Sequence, residues 1–232
     1  VPPVAGLLLA AGAGRRLAQG GPKALCLLDG LPLLSRAALA LRGSGAVDEL
    51  IVVGPPGAAA DVRAALDEVL PAGGAVIVDG AATRHGSMHR GLAALSDRVE
   101  IVVVHDACRP LAPADLVVRV VTAVHAGADA AVPVVELTET VKELDPAGRI
   151  VRTVPREALV RLQTPQAVRR LLLEAAHADC AAADLAADDA VLLAPPDARL
   201  VTVDGDGDAF PVIQAADLAV AAAVLARRHA AG

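Results

Sequence analysis

Short apolar runs rich in Val, Ile and Leu alternate along the first half of the chain with longer stretches rich in Ala and Leu. VAGLLLA precedes LPLLSRAALALRGSG, ELIVVG precedes AAADVRAALDEVL, and AVIVDG precedes RHGSMHRGLAALSD. EIVVVHDA then precedes PADLVVRVVTAVHAGA, and DAAVPVV follows. The short runs are apolar throughout instead of alternating with polar residues, as in strands covered on both faces. No hairpin signal interrupts them. The pattern predicts a doubly wound α/β fold, a mostly parallel sheet with helices on both faces. The rhythm breaks at residues 136–157, ELTETVKELDPAGRIVRTVPRE, where ETVKEL and RIVRTV flank Asp-Pro-x-Gly. That reads as a β-hairpin or arm with too few apolar residues for a core of its own. Such an arm packs on another surface, here a second subunit. Helix and strand text then resumes to AADLAVAAAVLARRHAAG, and the 232 residues read as a single domain carrying the arm.

Composition narrows the partners. The chain has one Phe, no Trp or Tyr, and a net charge of -6. Its core must rest on aliphatic side chains. Broad nucleic-acid binding needs a basic face, which this balance argues against. Clustered cations therefore point to one small anionic ligand. Cys26, Cys108 and Cys180 are odd in number and widely spaced, which suits reduced thiols in the cytoplasm better than a metal or disulfide framework. The apolar N-terminus has its cations after the run, the reverse of a signal peptide, and no apolar stretch reaches the length of a membrane span.

Three segments carry candidate chemistry. The first is LLLAAGAGRRLAQGGPKAL. It lacks the spacing of a Walker loop, and Leu17 stands where a dinucleotide fingerprint needs a third small residue. A small-residue loop exposes backbone N–H groups, and Arg15, Arg16 and Lys23 beside it suit a triphosphate bridged by Mg²⁺. The competing reading is a solvated turn. The second segment is VVVHDACRP, which puts Asp106 just past a buried strand, at the sheet edge where such folds bind ligands. Asp106 can ligate a divalent cation or orient a hydroxyl, with Arg109 near enough for a phosphate. The alternative makes Asp106 a turn cap paired with Arg109. His105 points to the opposite face from Asp106 and reads as structural. The third segment, GAATRHGSMHRGLAAL, leads into a helix, with Arg84 and Ser87 near its N-terminus. His85 and His89 have zinc-pair spacing, but no HExxH glutamate and no third ligand accompany them. Asp188 and Asp189 read as helix caps before a metal pair.

The stretch VHDACRP, followed in order by ETVKE, VPRE, LQTPQ and ADDA, resembles the 2-C-methyl-D-erythritol 4-phosphate cytidylyltransferases of the non-mevalonate isoprenoid pathway. The resemblance covers almost the whole chain. It implies attack of a substrate phosphate on the α-phosphorus of CTP, with pyrophosphate leaving. On matching positions, Arg16 and Lys23 would neutralise the triphosphate. Ala10, Ala11, Gly12 and Gly14 would contact the nucleotide, with Ala81, Ala82 and Ser87 around the cytosine. Asp106 would sit at the metal, Mg²⁺ or another divalent cation, and at the substrate, with Ala107, Arg109 and Thr164 nearby. Thr140 and Arg156, on or beside the arm, would reach the substrate held by the other subunit of a homodimer, Arg156 as a catalytic cation.

Two positions depart from the family. DAFPVIQ puts Pro211 where the family typically has a lysine that contacts the substrate phosphate, and only Lys23 and Lys142 exist in the chain. Losing one charge-assisted contact weakens binding by roughly 1.5–3 kcal/mol. Cys108 stands where a small residue such as Ala is usual. Three expectations follow: a methylerythritol phosphate enzyme, one with another polyol phosphate acceptor such as ribitol 5-phosphate, or an impaired nucleotide-binding paralogue.

Overall fold

The computed structural model describes residues 1–12, 21–180 and 197–231. Strands β1 (Val4–Leu9), β4 (Glu49–Gly54), β5 (Val76–Asp79) and β6 (Ile101–Asp106) run parallel in the order β5-β4-β1-β6. Between β1 and β4 lie the short strands β2 (Leu27–Leu28) and β3 (Leu31–Pro32), paired with each other. Strand β7 (Ala130–Glu136) does not continue the parallel series. Strand β11 (Gln166–Arg169) inserts between β6 and β7 and pairs antiparallel with both. β12 (Leu200–Asp204) pairs in parallel with one edge of β7, and β10 (Val160–Leu162) pairs antiparallel with the other, the edge that β11 also occupies.

Every residue of β1 is buried, as an uninterrupted apolar strand requires. Its side chains alternate between two cores. Leu8 faces the side covered by α1 (Leu33–Gly43), α2 (Ala59–Asp67) and α4 (Ala114–His125), where Leu34, Leu41, Val62 and Val120 pack. Leu7 and Leu9 face the side of α3 (Arg84–Ala93) and α5 (Arg170–Cys180), with Met88, Leu92 and Leu173. The doubly wound architecture expected from the sequence is present. A smaller cluster, with Leu33, Leu111 and Val212, seats α6 (Ala215–Ala231).

The arm is a two-stranded sheet of its own, β8 (Val141–Leu144) with β9 (Ile150–Val154), inside the 136–157 stretch. Its turn uses the Asp-Pro-x-Gly chemistry. Asp145 accepts the N–H groups of Ala147 and Arg149 at 2.9 Å each, and Gly148 takes φ +79, where a side chain would be strained. A second hairpin, β2–β3, corrects the reading that the first half holds none. Its Asp29-Gly30 turn has both residues at positive φ, the pairing a tight two-residue hairpin favours.

Candidate functional site

The registry of the central strands builds the site. Leu9 lies level with Val53 on one side and Asp106 on the other, so β1, β4 and β6 end in one row. Beyond that row opens a cavity of about 440 Å³ at the carboxyl edge of the sheet. Three walls meet there. Ala10, Ala11 and Gly12 continue β1; Ala81, Ala82, Thr83, Arg84 and Ser87 come from the start of α3; Asp106, Ala107 and Cys108 follow β6. Lys23 closes the fourth side from a single 3-10 turn, Lys23–Leu25. Of the expected nucleotide residues, Gly14 lies outside the described residues, as do Arg16, Asp188 and Asp189.

The wall from α3 owes its shape to local bonding. Thr83 is the helix N-cap and accepts the Gly86 N–H at 3.0 Å. The buried Ser87 hydroxyl accepts the Ala81 N–H at 3.0 Å and donates to the Thr83 carbonyl at 2.9 Å. Ser87 therefore shapes the loop as well as facing the cavity.

Asp106 pairs with Arg84, Nη1 to Oδ1 2.8 Å, not with Arg109. The Arg109 guanidinium instead donates to the carbonyls of Ala209 (2.8 Å) and Leu162 (3.3 Å), tying two distant segments together below the cavity. Thr164 is buried, and its hydroxyl accepts the Asp106 N–H at 3.1 Å and shares a hydrogen bond with His105 Nδ1 at 2.9 Å. His105 is wholly enclosed, and burial lowers its pKa to about 4, so the ring is neutral near pH 7. Its expected structural role has a specific form: it braces Thr164, which braces Asp106. Burial, followed by the Asp106 charge, pushes the Cys108 thiol above its ordinary value.

A magnesium ion fits this chemistry. Among the described residues no three His, Cys, Asp or Glu side chains come together as a metal cage. Mg²⁺ commonly uses one or two carboxylates and takes its other ligands from water and substrate phosphates. Asp106, on the cavity wall with Arg84 as its present counter-ion, is such a carboxylate. His85 is engaged elsewhere: its ring stacks on His177 of α5, centroids 4.2 Å apart.

Thr140 and Arg156 do not line the cavity. Thr140 is exposed at the base of the arm, and Arg156 begins a 3-10 turn, Arg156–Ala158, where its guanidinium donates to the Thr138 carbonyl. Pro211 does not line the cavity, but the next residue, Val212, donates its N–H to the carbonyl of Cys108, a lining residue, at 2.7 Å. Sequence reasoning missed two contributors. Gln163 exchanges two hydrogen bonds with the Asp206 backbone, and Arg90 reaches back to the carbonyls of Asp79 and Gly80. Gln163 lies within LQTPQ and Arg90 within GAATRHGSMHRGLAAL, but neither segment indicates its distant backbone partner. The arginine's spacing from Ser87 on one helical turn is the only local hint.

Comparison with known proteins bears on the family and the fold. The family model for IspD, 2-C-methyl-D-erythritol 4-phosphate cytidylyltransferase, matches residues 4–227. A protein of that name from Frankia casuarinae is 44% identical over 227 residues, 97% of this chain and 82% of the relative. The crystal structure of the Thermus thermophilus enzyme of that name superposes with a TM-score of 0.74 at 34% identity, covering 94% of this chain and 97% of that one. The fold is also shared with the 4-diphosphocytidyl-2C-methyl-D-erythritol synthase of Anaerococcus prevotii, TM-score 0.84 at 24% identity over 96% of each chain.

Proposed function

The chain belongs to the 2-C-methyl-D-erythritol 4-phosphate cytidylyltransferase family, and from that membership and the cavity's chemistry we propose how its residues divide the work. The reaction joins CTP and 2-C-methyl-D-erythritol 4-phosphate in isoprenoid precursor biosynthesis. A phosphate oxygen of the acceptor attacks the α-phosphorus of CTP in line. The bond from that phosphorus to the bridging oxygen breaks, and pyrophosphate departs with the electron pair.

The observation that carries this reading is the meeting of Lys23, Asp106 and the two small-residue loops on one cavity. Transfer of this kind needs positioning and charge neutralisation more than a nucleophilic side chain. Lys23, with Arg16, opposes the charge of the triphosphate and of the departing pyrophosphate. Backbone N–H groups of Ala11, Gly12 and Gly14 receive the nucleotide beside Ala10, whose own N–H is given to the Val53 carbonyl at 2.8 Å, and the loop of Ala81, Ala82 and Ser87 receives the base. Asp106 would hold Mg²⁺, which supplies Lewis-acid neutralisation of the phosphate oxygens when bound. Ala107 lines the acceptor side, while Thr164 and Arg109 act there by fixing Asp106 and the backbone around it.

Thr140 and Arg156 serve the acceptor of a partner subunit. Two facts support this: neither lines the cavity of its own chain, and the arm region leaves Leu144, Ile150, Val151 and Val160 at least half exposed. Exposed apolar side chains grouped in this way are normally covered. The working enzyme is a homodimer joined through the arm. We place it in the cytoplasm from its wide-spaced, odd-numbered cysteines.

The test is pyrophosphate release from CTP and Mg²⁺ with methylerythritol phosphate, with ribitol 5-phosphate, and without acceptor. Release with methylerythritol phosphate at a raised half-saturation concentration is expected, because Pro211 offers no cation. Turnover with ribitol 5-phosphate alone would overturn the acceptor assignment. CTP binding without turnover of either would overturn catalysis itself.

A further inference from the structure

The loop between β5 and α3 is pinned from one side by a residue outside the cavity. Gly80 sits where both nucleotide loops touch: a Cβ built on it would lie 2.2 Å from the Ala11 Cβ. Its N–H donates to the Gly54 carbonyl at 2.8 Å, extending the β4–β5 pairing by one step. Its carbonyl accepts from Arg90 Nη1 at 2.8 Å, and the same nitrogen reaches the Asp79 carbonyl at 3.2 Å. The other end of the Gly80–Ala81 peptide, the Ala81 N–H, donates to Ser87. That peptide plane is thus fixed at both ends, by two side chains one turn apart on α3. Its orientation sets where the following peptide groups, those of Ala81 and Ala82, face. Ala81 and Ala82 line the cavity, and their methyl side chains offer no hydrogen bonds.

At Ala81 and Ala82 the wall can read a base only through its backbone. Cytosine presents an amino donor at position 4 and an acceptor at N3, and uracil reverses both. A loop offering a carbonyl to the first and an N–H to the second discriminates only while its peptide planes stay in place. A guanidinium on two carbonyls is a charge-assisted anchor. Freeing the Gly80 carbonyl lets the plane rotate, so donor and acceptor can be presented to either base.

We propose that Arg90 is a positioning residue that sets selectivity for cytidine over uridine triphosphate by locking the Gly80–Ala81 peptide from outside the cavity. The proposal rests on the assignment of this cavity to the nucleotide. It is tested by steady-state kinetics with CTP and with UTP for the parent, Arg90→Met and Arg90→Lys. Met keeps the aliphatic stem and removes the donors; Lys restores a single point donor. Arg90 is exposed, and melting temperatures check that the variants remain folded. Arg90→Met should raise the KM for CTP about tenfold with kcat within about twofold, and should lower the CTP-to-UTP ratio of kcat/KM by about tenfold. Arg90→Lys should recover part of that ratio. A merely structural role would leave the ratio unchanged, and an unchanged ratio in a folded Arg90→Met protein overturns the proposal. Ala82→Leu, which fills the cavity wall, separates the two levels. If Ala82→Leu raises the KM for CTP but Arg90→Met leaves selectivity intact, only the role of Arg90 fails. If Ala82→Leu leaves CTP unaffected, the nucleotide assignment fails, and the proposal with it.

Discussion

Replacing Thr164 with valine removes one buried oxygen and keeps the side chain's shape. That oxygen accepts the Asp106 N–H at 3.1 Å and meets His105 Nδ1 at 2.9 Å, in a region where Thr164 is 4% exposed and His105 0%. The substitution opens no cavity, so its cost is the desolvation of polar groups left without partners. An unpaired buried group costs about 1–3 kcal/mol. With the Asp106 N–H and the His105 ring nitrogen both abandoned, Thr164→Val should lose about 2–4 kcal/mol. For a domain of this size that lowers Tm by roughly 5–15 °C. Urea unfolding followed by circular dichroism measures it, with Thr164→Ser as the control that retains the hydroxyl. Activity should fall too, since the Asp106 backbone is no longer braced and its carboxylate drifts from the cavity wall. A valine variant within about 0.5 kcal/mol of the parent would refute the bracing argument, as would a serine variant as unstable as the valine one.

The same chemistry predicts acid sensitivity. Burial lowers both His105 and His177 from 6.5 to about 4, His177 also under the charge of His85. The unfolded chain therefore binds these two protons between pH 6.5 and about 4 while the folded chain does not, and stability must fall as pH drops through that window. The loss is at most about 3 kcal/mol for each ring; urea midpoints measured from pH 7 to 4 should decline, and a His177→Gln variant should decline less steeply. Lys23→Ala should cut kcat for cytidylyl transfer at least tenfold while shifting stability by less than about 0.5 kcal/mol, because the lysine faces the cavity instead of the core; an unaltered kcat would remove it from the chemistry. Arg156→Ala should raise the KM for the acceptor more than that for CTP, and equal effects on both would contradict the assignment of the arm.

The parallel strands were legible because each is written locally. A strand buried on both faces must be apolar through its middle, and VAGLLL throughout, LIVV within ELIVVG and IVVV within IVVVHD meet that requirement with no outside information. The arm was legible for a different local reason, the turn chemistry of Asp145 to Gly148. The position of β11 was not. Its four residues pair with β6 and β7, and nothing in Gln166–Arg169 says which distant edge will accept them. Long-range partners escaped for the same reason in the site. Asp106 was found from its place after a buried strand, yet its ion pair is with Arg84, 22 positions away, and not with the nearby Arg109. The Asp29-Gly30 hairpin is a different kind of omission. Its signal is present in the sequence, but the strands beside it, Leu27–Leu28 and Leu31–Pro32, are two residues each and leave no alternating pattern to read.

The two halves of the cavity are held by unlike means, and this bears on Pro211. The side proposed for the nucleotide is carried on strand ends and on one helix start, within short sequence distances. The segment around Pro211, proposed to meet the acceptor, is stapled across the chain. Arg109 holds the Ala209 carbonyl, Gln163 holds both backbone groups of Asp206, and Val212 donates to the Cys108 carbonyl. The path of residues 206–212 is therefore set on both sides of position 211 without help from the side chain there. Proline cannot donate from its own nitrogen, but the bond that docks this segment is made by the next residue, so the fold loses nothing to it. Against the lysine that the family resemblance leads one to expect at 211, the proline lacks a cation, not a shape. An acceptor phosphate should then meet the same geometry with less attraction, which affects occupancy first and the chemical step only through it.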